Sequence, residues 1–185
     1  MRNSLITFSF EQFLEMAGDR ESLELYREVP FPNYGYEKLL GLFHQFCLVG
    51  GIPDVVELFA ASRDILLLSP IYERNLEELF FKAASIATTQ KTGERLVQIY
   101  QDSFTFAATR IKFNGFSDER FHSREVSQAF HLLQEHGLIQ LLYPTIHADL
   151  PFDTDKHRSP RIQLPDTGLV NYFTGIQDAL TDQKD

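Results

Sequence analysis

The sequence has no tryptophan and a single cysteine, Cys47, in 185 residues. One thiol excludes an internal disulfide and any zinc cluster built on several cysteines. No apolar run approaches the ~20 residues that a membrane-spanning helix requires. The opening stretch, MRNSLITFSFEQFLEMAG, has no continuous apolar core of the signal-peptide kind, because Glu11, Gln12 and Glu15 interrupt it. A cytoplasmic chain with no membrane partner is the expectation. Positive charge is also short: 17 Lys and Arg stand against 26 Asp and Glu, a net of −9. Affinity for a phosphate backbone comes largely from cations that neutralise it. Any nucleic-acid role must therefore rest on local clusters. Three catalytic signatures are missing from the sequence. It contains no G-x-x-x-x-G-K-[ST] loop, no apolar strand ending in paired acids, and no G-x-S-x-G elbow.

What is present is enough to build a core. Hydrophobic residues make up 43 %, and 17 Phe with 7 Tyr carry the aromatic share, which excludes wholesale disorder. Charge is uneven along the chain. Residues 1–90 hold 7 basic against 13 acidic side chains, residues 91–161 hold 9 against 9, and residues 162–185 hold 1 against 4. The middle third is where contact with nucleic acid would have to lie.

Hydrophobic spacing organises the chain. LITFS (5–9) reads as a short strand, and FEQFLEMAG as a helix capped by Ser9 and ended by Gly18. Leu39, Leu42, Phe43 and Phe46 mark an amphipathic helix that Gly50 and Gly51 stop, with Pro53 placed to open the next. The helical pattern continues through residues 63–87, where Pro70 either kinks or divides it. A further helix puts Leu96, Ile99, Tyr100, Phe104, Phe106 and Ala107 mostly on one side. SREVSQAFHLLQEHG is a compact helix with Ser123 as N-cap and Gly137 as its stop. LIQLLYP and RIQL then read as two strands around a polar loop. Helix, helix and a two-stranded wing is the order of a winged helix, a variant of the helix-turn-helix. The expected fold is mainly α with a small β wing: a helical lid-like part over 1–90, a winged helix over 91–176, and a polar tail over 177–185.

Each candidate site has a bland counterpart. GGIPDVV has two glycines but no nearby cation, so it reads as a helix-breaking turn rather than a phosphate cradle. His147, Asp149, Asp153, Asp155 and His157 are the most metal-like cluster, yet they lack the EF-hand's glycine and terminal glutamate. A solvated wing is the expectation, with no metal. Cys47 and His44 lie three apart on one helix, and apolar Phe43, Phe46 and Leu48 argue for an inert core thiol rather than a nucleophile. Arg110, Lys112, Arg120, Arg124, Lys156, Arg158 and Arg161 flank the winged-helix segment, and its helix adds Gln128 and His131. In such domains the second helix enters the major groove while the wing touches backbone. Glu125 and Glu135 on the same helix temper that route to DNA. Asp166, in RIQLPDTGLVNYFTG, reads as a corner residue after the wing, where Asp166 or Thr167 caps the helix that follows.

Four stretches in order carry a resemblance: ITFSFEQFLEMAG, FHQFCLVGGIPDVVELF, RIKFNGF with SREVSQAFHLLQEHGLIQLLYP, and RIQLPDTGLVNYFTG. They run from Leu5 to Gly175. The chain resembles prokaryotic AAA-type P-loop ATPases in which a helical lid and a winged helix follow the ATPase core, and a nuclease-like domain of unknown function often comes last. Gly50, Gly51, Pro53, Gly137, Asp166 and Gly168 form the structural part of that signature. The resemblance implies a non-catalytic segment that couples nucleotide state to a partner or to DNA. ATP and Mg would be held only by the core domain that this chain lacks, and that core would be its first partner. A free-standing winged-helix module binding DNA or protein is the alternative. Aromatic faces at Phe10, Phe13 and Phe80–Phe81 raise the further expectation of self-association.

Overall fold

The computed structural model describes residues 5–30, 32–116, 121–147, 149–150 and 152–181. Those residues are mostly helical, with a small two-stranded antiparallel sheet. In chain order they form α1 (Phe10–Met16), α2 (Arg20–Arg27), α3 (Tyr36–Val49), α4 (Pro53–Ser62), α5 (Ser69–Ser85), α6 (Gln90–Thr105) and α7 (Ser123–Glu135). The strands β1 (Gln140–Leu142) and β2 (Arg161–Gln163) follow, then α8 (Thr167–Phe173) and α9 (Ile176–Thr181). The chain divides into two compact units. One joins residues 5–76 to the chain from Asp166 onward, and the other covers residues 77–165. These divisions fall away from the expected ones at 90/91 and 176/177.

The helical unit begins with a reciprocal cap. Ser9 Oγ accepts from Gln12 N at 3.3 Å while Gln12 Oε1 accepts from Ser9 N at 2.9 Å, satisfying two free donors of the first turn. Phe13 and Leu14 of α1 are buried with Leu39, Val55, Val56 and Phe59. Pro53 opens α4 at a position where its missing N–H costs nothing. Pro70 does the same in the first turn of α5, so the stretch is divided there, with a 3-10 turn over Leu66–Leu68 before the α-helix, rather than kinked. The expected strand at Leu5–Ser9 does not form. That stretch has no regular structure, and Phe8 N donates a single bond to Gly51 O at 2.6 Å. The expected polar tail is also corrected, since residues 176–181 are helical and Gln177 is buried. Its Nε2 donates to Leu48 O at 2.9 Å and to Tyr72 Oη at 3.2 Å.

In residues 77–165, Thr89 caps α6 and Leu96, Ile99, Tyr100 and Phe104 are buried along it. Phe106 and Ala107 do not continue this helix as the spacing predicts. The chain turns out of it and runs alongside β2: Ala108 N donates to Ile162 O at 2.8 Å, and Ile111 N to Pro160 O at 2.9 Å. Helix α7 starts one residue earlier than expected, because His122 rather than Ser123 is the N-cap. Gly137, at φ 70°, turns the chain out of α7. Antiparallel β1 and β2 pair Leu141 with Ile162, both buried, while their neighbours face outward.

One buried group in this unit lacks a partner. Tyr100 is fully buried, burial pushes its phenol far above the usual range, and its Oη makes no hydrogen bond among the described residues. Leaving a buried hydroxyl unpaired costs more than removing it, so Tyr100→Phe is expected to raise stability by about 1 kcal/mol. A thermal midpoint raised by roughly 2–4 °C in circular dichroism checks this.

Candidate functional site

Asp166 is a buried carboxylate bonded to two separate parts of the chain. It follows β2 by three positions and is the N-cap of α8, where Oδ1 accepts from Leu169 N at 2.9 Å. Its other oxygen, Oδ2, accepts from Gly51 N at 2.7 Å, 115 residues away in sequence. Burial pushes the carboxyl above its usual value, while the backbone N–H groups of Gly51, Leu169 and Gly168 pull the other way. The turn it holds has no room for side chains. Gly50 sits at φ 81°, and a Cβ there would overlap the Asp166 carboxylate. A Cβ on Gly51 would overlap Phe8 O. The carboxylate is saturated by backbone donors inside the fold and is not presented to a substrate.

The basic positions separate into distinct surfaces. Arg124, Gln128 and His131 are exposed on α7 at i, i+4 and i+7, which places them along one stripe. Arg110 lies directly opposite Arg161, and both are exposed, as is Lys112 two residues on. Ile111, between Arg110 and Lys112, and Ile162, next to Arg161, are buried, so Arg110 and Arg161 stand together on the exposed side with Lys112 nearby in sequence. Arg161 Nη1 also donates to Ala108 O at 2.7 Å. Lys156 is exposed in the loop between β1 and β2, whereas Arg158 is engaged by Asp155 at 3.1 Å. Arg120 lies outside the described residues.

Sequence spacing missed a neighbouring cation. Arg95 of α6 pairs with Glu125 of α7 and lies over the Phe121 ring at 5.8 Å. The backbone N–H of His122, the Arg95 guanidinium and nearby charge hold the Glu125 carboxyl below its usual value. Glu125 is thus committed within the unit, and the acidic objection to this helix narrows to Glu135. Thirty residues separate Arg95 from Glu125, and no local pattern signals that pairing.

The remaining candidates do not assemble. His147 Nε2 stands 3.8 Å from Asp153 Oδ2, and Asp155 accepts from His157 N at 3.0 Å as a local turn. No group of three or more His, Cys, Asp or Glu among the described residues is placed to hold a metal ion. Cys47 is half-buried, not core as expected, and burial raises its thiol above the usual value, which opposes nucleophilic use. His44 is exposed. Of the aromatic residues singled out, Phe13 is buried and Phe80 packs on Tyr100 and Phe104, while Phe81 is 77 % exposed.

No curated protein and no solved structure matches the chain. A family model described as a domain of unknown function, DUF8612, matches residues 40–180, from within α3 to within α9. That span holds both the Gly50–Gly51 turn and the aspartate bonded to it, and the chain belongs to this family.

Proposed function

We propose that the chain is a non-catalytic coupling and interaction module of an AAA-type ATP-binding protein, with residues 77–165 forming a winged helix. The observation that carries this reading is the order α6, a turn-containing run 107–111 that bridges to β2, α7, then the β1–β2 hairpin. That order supports reading the hairpin as the wing that follows a helical pair. The order of the four stretches from Leu5 to Gly175 supports the link to an ATPase. The helical unit serves as a lid against the nucleotide-binding core, which supplies the site for ATP and Mg. Differential contact in the two nucleotide states then passes to the winged helix and its partner. Within this module, Asp166 with Gly50, Gly51 and Gly168 is structural.

The native polypeptide tests the coupling reading. Antibodies against this chain, used on cells that make it, are expected to detect a larger species whose peptides include a Walker-A loop. Detection solely at the mass of the present chain would overturn that reading and leave a free-standing module.

DNA as the partner is favoured by the Arg124–Gln128–His131 stripe and by the Arg110–Arg161 pair with Lys112 nearby in sequence. Few cations are available, so binding to a duplex of about 30 base pairs is expected to be weak and to fall steeply with salt. Fluorescence anisotropy from low to high salt measures it. Tight binding that persists at high salt would make DNA the principal ligand and displace the protein-partner reading.

A further inference from the structure

Helices α1, α2 and α3 leave an open apolar groove of about 370 Å³, lined by Phe10, Tyr26, Tyr36, Leu39, Leu40 and Phe43. Four of these are substantially in water: Tyr36 at 57 %, Phe43 at 44 %, Tyr26 at 43 % and Leu40 at 36 %. The floor is firm, because the Phe10 ring meets Phe43 at 5.2 Å, Tyr26 at 5.4 Å and Phe46 at 5.7 Å. Polar groups that would orient a small ligand do not converge there, since the lining offers two phenol hydroxyls and aliphatic or aromatic carbon. A shallow trough of this kind fits an extended apolar stripe.

Charge decides what carries that stripe. Residues 5–49 contain three cations, Arg20, Arg27 and Lys38, against seven acidic side chains. Arg27 is engaged by both Glu11 and Glu15, and Lys38 by both Asp19 and Glu21. Arg20 faces Glu24. Glu28 and Glu37 are exposed and have no ion-pair partner among the described residues, and Glu37 adjoins Tyr36 at the groove. A second copy of the chain would bring the same acidic rim against itself, so it is a poor occupant. We propose that this groove binds a cationic amphipathic helix, whose apolar stripe fills the trough while Lys or Arg on its flanks meet the acidic rim. The site lies outside residues 77–165 and does not depend on what the winged helix binds.

The probe is a labelled Leu/Lys peptide of about 18 residues, roughly 27 Å of helix, with apolar positions at i, i+3, i+4 and i+7. Its comparators are a scrambled Leu/Lys peptide that has no apolar face and a Leu/Glu version of the same pattern. Anisotropy is expected to show the amphipathic cationic peptide binding roughly tenfold or more tightly than either comparator. Leu40→Glu and Tyr36→Gln are each expected to weaken it about tenfold, and Glu37→Lys to weaken it and reduce its salt dependence. These positions are exposed, and unchanged melting curves verify the fold. Gln98→Glu, exposed on α6, matches the added charge away from the groove and is expected to leave binding unchanged. Equal binding of the scrambled peptide, or indifference to the groove substitutions, would overturn the proposal. So would self-association abolished by Leu40→Glu, which would make a second copy the occupant.

Discussion

Replacing Asp166 with alanine is expected to lower the thermal midpoint by roughly 5–15 °C, corresponding to about 2–4 kcal/mol. Two losses combine. The N-cap bond to Leu169 N disappears, which alone costs ~0.5–2 kcal/mol. The Gly51 N–H then loses the carboxylate it donates to at 2.7 Å, in a buried turn. A stranded buried donor costs roughly 1–3 kcal/mol more. Asp166→Asn is expected to fall between, because its amide offers one acceptor where two N–H groups need one each. The pH dependence has a definite sign. With the folded value above the ordinary 3.8, the folded state binds the proton more tightly than the unfolded chain does. Stability from this group is therefore greatest in acid and is lost as the pH rises through the folded value. The advantage of wild type over Asp166→Asn should accordingly be largest in acid and shrink toward neutral pH. An alanine variant that melts with the wild type would remove Asp166 from any structural role.

Local chemistry made part of this corner legible. P-D-T-G-L-V announces a capped helix start, and G-G-I-P announces a helix stop followed by a helix start. The bond that joins them spans 115 residues, and neither segment carries a sign of the other. The same division recurs elsewhere. Ser9 and Gln12 are three apart and visible as a cap, whereas Arg95 and Glu125 meet only through the packing of α6 on α7. FAATRI keeps the apolar spacing of α6, so periodicity extends the helix through residues that instead pair with β2. Helix α9 has too few apolar positions to announce itself, and burial of its Gln177 depends on the carbonyl of Leu48. Among the basic side chains, exposure of the α7 stripe follows from helical spacing. The opposition of Arg110 and Arg161 needs the strand register.

Gly168→Ala should be the most damaging conservative substitution in the helical unit, at about 4 kcal/mol or more. Gly168 is the second residue of α8, and alanine inside a helix is ordinarily favoured over glycine by about 1 kcal/mol. Here a Cβ would overlap the Val49 carbonyl oxygen, lie 2.5 Å from its carbon and 3.0 Å from Gly50 N. Backbone rather than a flexible side chain stands in the way. Val49 O is itself held by Tyr72 Oη at 2.6 Å, and Gly50 N by Phe46 O at 2.7 Å. Relief therefore requires α8 to lift from the end of α3, which breaks the Asp166–Gly51 bond as well. Gly41 supplies the contrast, since it lies within α3 and its Cβ would meet nothing within 4 Å. Gly41→Ala should gain roughly 0.5–1 kcal/mol from propensity alone. Opposite signs for the same chemical change in paired denaturation curves would locate the effect in the contact of α8 with α3. A stabilised Gly168→Ala variant would mean that α8 does not pack on that turn.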